Sequence, residues 1–269
     1  MTETAWNRLS AEALRGLAAL DAIVLLPVAS TEQHGPHLAT GVDDFLCSEV
    51  CRRVAAKLAP DVPVVVAPTV WFGLADHHVP FGGTFTISLA TYYAVLRDLC
   101  RAVLGAGFRR IVIVNGHGGN MHALATFTGE LTRELAAPIA TTTYFMEGQA
   151  EQGRILQDQN GVMHACEAET SMMMAIHPDL VDEGRLKDAH GPDFDLVASL
   201  APSLKTFRSF AELTSSGVAG DARKASAGKG EALLAACSAA LASRLRAGEP
   251  WSAAALSGPL LASGAGGLR

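Results

Sequence analysis

The chain has 269 residues, 49% apolar and 18% charged, so it can bury a sizeable core and wholesale disorder is excluded. A formal net charge of −6, with no Lys/Arg block, argues against nucleic acid or an anionic membrane surface as a partner. The N-terminus shows no basic segment followed by an apolar run, no apolar stretch reaches the ~18 residues of a membrane span, and the five cysteines follow no disulfide framework, which predicts a cytoplasmic protein.

AIVLLPVAS (22–30) is a short β-branched apolar run and predicts a buried strand. A polar loop rich in Gly and His follows (31–42). Asp43 or Asp44 then starts a helix with Leu46, Val50 and Val54 on one stripe and Pro60 past its end. Cys47 and Cys51 share a face of that helix, and two small buried hydrophobes explain them more simply than two metal-binding thiolates. VPVVVAP (62–68) is a second strand, and the loop 69–83 carries Gly73, Asp76, His77, His78, Gly82 and Gly83. A helix over about 90–105 ends near Gly105 and Gly107. RRIVIVN (109–115) is a third strand, GHGGN turns the chain into a helix of about 120–135, and APIATTTYF (137–145) is a fourth strand. Another helix covers 165–177, residues 178–227 are mainly loop, and an amphipathic helix runs from Gly228 to Arg246. This alternation predicts right-handed crossovers and a mostly parallel sheet covered on both faces, a three-layer α/β sandwich. No repeat or linker divides the chain, so one domain is expected, with its core at about 20–245 and a tail over 250–269.

In open parallel sheets ligands sit beyond the carboxyl ends of the strands. The segments that follow the first three strands are TEQHGPHLATGVDD, the loop with His77 and His78, and NGHGGN. Topology would therefore gather Glu32, His34, His37, Asp43, Asp44, His78 and His117 at one rim. Imidazole mixed with carboxylate suits zinc, manganese or iron. In an extended stretch Glu32 and His34 point to the same side, so each could hold one of two adjacent metals, and Asp43 could bridge them with its two oxygens. Asp44 reads as a helix-start acid. The glycines of NGHGGN allow close approach of a ligand, and the amides of Gly118 to Asn120 open a helix. A phosphate cradle is the rival reading, but no G-x-x-x-x-G-K-[ST] occurs. His77, His122, His177 and His190 read as surface or core positions, and His37 as either a ligand-supporting or a loop-packing residue.

With these residues in hand, the chain resembles the creatininase (creatinine amidohydrolase) family. The carrying pieces are LPVASTEQHGPHLATGVDDF (25–45), HVPFGGT (78–84), RRIVIVNGHGGN (109–120), HACEAETS (164–171) and, more loosely, SSGVAGDARKASAGKG (215–230). The resemblance spans roughly residues 20–245. It implies a creatininase-like α/β domain with two divalent metal ions (Zn, Mn or Fe), assembled as a homo-oligomer such as a hexamer. By position it makes Glu32, His34, Asp43 and His117 metal ligands, with Asp43 in the bridging place. Creatinine-hydrolysing members carry a carboxylate two residues after the loop histidine, where this chain has Gly119. Glu169 matches a Glu-Thr pair and would complete the second metal, or act in proton transfer, and His164 matches a histidine that handles substrate and protons. Creatinine-specific members also pack their flat substrate with tryptophans, whereas this chain offers Phe145, and its tryptophans are Trp6, Trp71 and Trp251. The NGHGGN form resembles more closely the members acting on a formamide or cutting a short peptide.

The expected reaction is therefore metal-assisted hydrolysis of a C–N amide in a cyclic amide, a formamide or a short peptide. His164 or Glu169 would deliver a proton to the leaving nitrogen. The small-molecule substrate is expected against His78, Phe145 and Trp71, with the Gly118 and Gly119 amides near its carbonyl. A di-metal hydrolase of phosphate or other esters would want basic residues at the rim, and the motif loops are poor in Lys and Arg. A metal-holding protein without a reaction is the alternative outside enzymes.

Overall fold

Strand β1 (Ile23–Val28) is buried along its whole length in the computed structural model, which describes residues 3–157, 159–193, 204 and 206–252. It lies between β2 (Val64–Val66) and β3 (Arg110–Asn115), and β4 (Ile139–Thr143) flanks β3. All pairings of this β2-β1-β3-β4 sheet are parallel, with Ile23 beside both Val64 and Arg110, and Val28 beside Asn115. The strands read as continuous apolar runs because both faces are covered.

Alternate side chains feed two cores. Ile23, Leu25, Val112 and Val114 pack with helices α2 (Val42–Leu58), α6 (Glu167–Ile176) and α8 (Ala227–Arg246). Val24, Leu26, Val28, Ile111 and Ile113 pack with α3 (Leu89–Gly105) and α4 (Met121–Leu135), and half-buried residues of α1 (Ala11–Ala19) close that side. Three layers result. The connection leaving β1 enters α2 on one face, and the connection leaving the adjacent β3 enters α4 on the other. The chain thus parts beyond the carboxyl ends of two neighbouring strands, where a crevice must open.

The expected strands and major helices are present, with shifts at their ends. Tyr144–Met146 is a 3₁₀ turn that takes Phe145 out of the fourth strand. Two helices escape the sequence pattern: α1, capped by Ser10 and largely exposed, and α5 (Gln149–Ile155), which is only two turns long. The described residues of 178–227 form loop and 3₁₀ turn with a single-turn helix α7 (Phe210–Leu213), closed by a capping box between Ser209 and Glu212. The expected tail begins too early at 250, because Trp251 packs against the first core and its indole N–H donates to the Pro138 carbonyl at 2.9 Å. The rest of that tail, 253–269, lies outside the described residues. Among the described residues no helix is long and apolar enough to cross a membrane.

Leu46 on α2 is fully buried in the first core, whereas Leu20 is 65% exposed. Leu46→Ala should lower unfolding free energy by about 2–5 kcal/mol in urea titrations. Leu20→Ala should change it by no more than about 0.5 kcal/mol.

Candidate metal centre

The crevice collects side chains from four segments. Glu32 and His34 come from the loop after β1, Asp43 from the first turn of α2, His117 from the residues just past β3, and Glu169 from the first turn of α6. All five are buried, none more than 3% exposed. Asp43 divides its oxygens: Oδ1 lies 3.2 Å from His34 Nε2, and Oδ2 lies 3.0 Å from His117 Nδ1. Glu32 Oε2 is 3.1 Å from His117 Nδ1, and Glu169 Oε2 is 3.9 Å from His34 Nε2. Two sets able to hold an ion follow, Glu32–Asp43–His117 and His34–Asp43–Glu169, and they share Asp43. A third set joins Glu32, His34 and His164, whose Nδ1 is 3.6 Å from Glu32 Oε1.

These atoms are close without being hydrogen-bonded to one another. Both oxygens of Glu32, Asp43 Oδ2 and His34 Nε2 are buried with no hydrogen-bond partner among the described residues. Unpaired buried acceptors are costly. Their arrangement around common points, with N and O donors alone, fits divalent zinc, manganese or iron.

Hydrogen bonds outside the cluster choose which ring nitrogen each imidazole presents. His117 Nε2–H donates to the Leu74 carbonyl at 3.0 Å, so Nδ1 faces Glu32 and Asp43. His34 Nδ1–H donates to the Glu32 carbonyl at 3.1 Å, leaving Nε2 for Asp43 and Glu169. Asn120 Oδ1 accepts the Leu74 amide at 3.0 Å and so steadies the carbonyl that holds His117. Asn115 clamps the His117 backbone at both ends, accepting its N–H at 3.1 Å and donating to its carbonyl at 2.7 Å. Gly119 is required here: a Cβ would stand 2.4 Å from both His117 Nε2 and the Leu74 carbonyl oxygen. A carboxylate at this position therefore has no room, and Glu169 occupies the second set instead.

Electrostatics match this crowding. Burial opposes a charge on His34, yet Asp43, Glu169 and Glu32 carry its pKa up to about 9. Burial likewise opposes a charge on His117, and Glu32 and Asp43 raise it well above the ordinary value. Glu32 resists its own desolvation and is held well below the carboxylate range by His117 and His78. Burial, with Asp43 nearby, pushes Glu169 up to about 8. His164 is driven well below the usual imidazole value by burial and by His78 and His34.

A cavity of about 570 Å³ opens onto the cluster, lined by His78, Gly118, Gly119, Phe145 and His164 as expected. Trp71 is not among its walls. It is 44% exposed and meets Phe72 and Phe85 edge-on, because its loop turns outward before the 3₁₀ segment Asp76–Phe81 returns to the site. His77 and His122, read from sequence as surface or core, do line the cavity, and His77 stacks on His117 with centroids 5.6 Å apart. The sequence reading also missed Phe207, Arg208, Phe210 and Leu213, which carry no metal-ligand signature and sit in and just before the short helix α7. The Asn120 amide is spent on the His117 carbonyl at 3.2 Å, so of the expected amides only those of Gly118 and Gly119 remain. His37 stands outside the three candidate sets, and its Nε2 meets Thr170 Oγ1 at 2.7 Å, next to Glu169. Asp44 pairs with Ser48 at 3.1 Å, and Cys47 is buried with its thiol on the Val114 carbonyl at 3.2 Å, as the plainer readings of both expected.

With two candidate ligand sets sharing Asp43 on this sheet, the creatininase (creatinine amidohydrolase) family model matches residues 7–245. The chain belongs to the creatininase family. Creatininase relatives cover nearly its whole length. It is 33% identical over 240 residues, 88% of this chain and 89% of the other, to the mycofactocin precursor peptide peptidase of Mycolicibacterium smegmatis. It is 29% identical over 263 residues, 91% of this chain and 95% of the other, to the creatinine amidohydrolase of Pseudomonas putida. A solved manganese creatininase superposes with a TM-score of 0.78 at 27% identity, covering 93% of this chain and 100% of the other. A mutant creatininase of Zn-Zn type superposes at 0.77 with the same identity and coverage. The fold is thus the creatininase fold.

Metal uptake at these sets would displace protons from His34, His117 and Glu169, so affinity should rise with pH from 6 to about 9 and fall below it. Calorimetric titration of Zn(II) in buffers of different ionisation enthalpy should show proton release, and pH-independent uptake would contradict these ligands. Asp43→Ala should abolish binding at both sets in elemental analysis, and retained turnover with bound metal would discard the bridge.

Proposed function

We propose that the protein is a metal-dependent amidohydrolase that cleaves a C–N amide bond in a short peptide-like substrate, using two divalent ions held by Glu32, Asp43, His117 and by His34, Asp43, Glu169. The observation that carries this reading is the Asp43 carboxylate, split between two histidines at 3.0 and 3.2 Å. The Zn-Zn type of one creatininase relative supports the count of two. Zinc, manganese and iron all suit the N/O donor set. Bound there, such ions would supply an activated water, its pKa lowered toward ~7, and a polarised carbonyl.

The chain's own groups supply the remaining parts. His164 is held neutral and 12% exposed at the cavity floor, so its ring can take a proton and return it to the leaving nitrogen. The Gly118 and Gly119 amides line the same floor and can donate to a developing oxyanion. Phe145, Met163, Phe210 and Leu213 keep water from one side. A cavity of about 570 Å³ is larger than a single small ring needs and lies in the range of drug-sized ligands. That size, and the peptidase among the relatives, favours a short peptide over a formamide or cyclic amide.

Arg208 gives the substrate a further feature. It is the one Lys or Arg among the described residues of the cavity wall, and its guanidinium makes no ion pair or hydrogen bond among the described residues. Its neighbour Glu212 is already held by Ser209. Placed at the mouth beside Phe207, it suits a carboxylate on the substrate. The five free, buried cysteines support a reducing, cytoplasmic setting. The exposed apolar side chains of Trp71, Val79, Phe85 and Leu89 support a homo-oligomer.

The metal-loaded protein should hydrolyse short peptides in preference to creatinine-like rings and formamides in a mass-spectrometric panel. Full metal occupancy with no amide cleaved would favour a binding protein. Arg208→Gln should raise KM about tenfold for a substrate bearing a carboxylate and leave kcat within about twofold. An equal effect on the amidated substrate would remove Arg208 from this role.

A further inference from the structure

Gln33 lies between two of the candidate ligands and has no part in the chemistry above. Its side chain is buried and its amide is held by atoms of fixed polarity. Oε1 accepts the Gly35 amide at 2.9 Å, and Nε2 donates to the Gly217 carbonyl at 3.1 Å. Neither backbone partner can exchange donor for acceptor, so the amide has only one orientation. The loop is shaped around it: Gly217 has φ +77°, and a Cβ there would meet Gln33 Oε1 at 2.2 Å.

The second N–H of Nε2 faces His78 Nδ1 at 2.9 Å, and that nitrogen must accept. The His78 proton is thereby placed on Nε2, 3.1 Å from Glu32 Oε1. His164 Nε2 stands 2.8 Å from the Gln33 carbonyl oxygen and 3.0 Å from Gln33 Nε2. A carbonyl only accepts, and both hydrogens of the Gln33 amide are committed elsewhere, so His164 also carries its proton on Nε2. Its Nδ1 is left bare, 3.6 Å from the same Glu32 oxygen. The two rings stack with centroids 4.3 Å apart, yet they show Glu32 opposite faces of imidazole chemistry. His78 presents an N–H, and His164 presents a lone pair.

We propose that Gln33 is the positioning residue that assigns these two roles, keeping the His78 proton on Nε2, on the Glu32 side and outside the ligand set, while its own carbonyl leaves His164 Nδ1 free for proton transfer. The consequence for turnover rests on the amidohydrolase reading, whereas the tautomers do not.

The test uses the full chain labelled with ¹⁵N-histidine and saturated with Zn(II). Nitrogen NMR of the wild type should show His78 and His164 both protonated at Nε2. In Gln33→Glu the Gly35 contact survives, but the second oxygen accepts, so the His78 proton should move to Nδ1 while His164 stays as it was. With a cleavable amide, kcat should fall about 10–100-fold and KM should stay within about twofold. A His78 that remains an Nε2–H tautomer in this variant overturns the proposal, as does a kcat within about twofold of wild type. If neither protein cleaves any amide, the function reading fails and the tautomer result alone decides. Should Gln33→Glu not fold, Gln33→Met keeps the bulk without the amide. A mixture of His78 tautomers with the same loss of kcat is then expected, and a single Nε2–H form at wild-type kcat overturns the assignment.

Discussion

Three carboxylates, those of Glu32, Asp43 and Glu169, are buried together with no Lys or Arg in the ligand sets. A carboxylate taken out of water costs several kcal/mol unless a positive charge meets it. Here the compensating charge is either protons on His34 and His117 or divalent ions at the two sets that share Asp43. The fold therefore carries a local deficit that either source of positive charge offsets. Much of the surrounding structure keeps those atoms facing each other rather than water.

Within that enclosure the two histidines of the candidate sets are held from behind. Leu74, Asn115 and Asn120 fix the His117 ring and its backbone, and the Glu32 carbonyl fixes His34. Such bonds select a ring nitrogen as well as a position, which is what a ligand or a proton carrier needs. The close fit at Gly119 follows from the same packing, since the loop must bring Leu74, His77 and His117 within contact of one another. Gly119 leaves no room for a side chain beside His117, and the second candidate set draws its other carboxylate from Glu169.

The cavity above the centre has graded character. Its floor is ionisable, its middle apolar, and its mouth carries Arg208 among aromatic side chains. A hydrolytic site benefits from that order. Charge chemistry proceeds where water is restricted, and an anionic substrate group can remain solvated at the rim away from the buried carboxylates.

Much of this was legible in the residues themselves. The apolar runs at 23–28 and 110–115 imply buried strands, and the helix opening at Asp43 and the glycine-flanked His117 follow from local spacing. Glu32, His34, Asp43 and His117 stand out because imidazole and carboxylate rarely follow buried strands by chance. Other features carry no local signature. Gln33 falls between two candidate ligands without a signal of its own, Arg208 and Phe210 sit at a helix of one turn too short to show periodicity, and Trp71 reads as a site aromatic although its side chain faces outward. The sequence by itself determined which elements form and which residue types collect after each strand, because burial and spacing are local properties. Only the tertiary structure decided which nitrogen each histidine presents, that Asp43 stands between two of them, and which loop walls the cavity. Those outcomes depend on contacts such as Gln33 with Gly217 and His117 with Leu74, which exist only once the parallel pairing has fixed the neighbours of each strand.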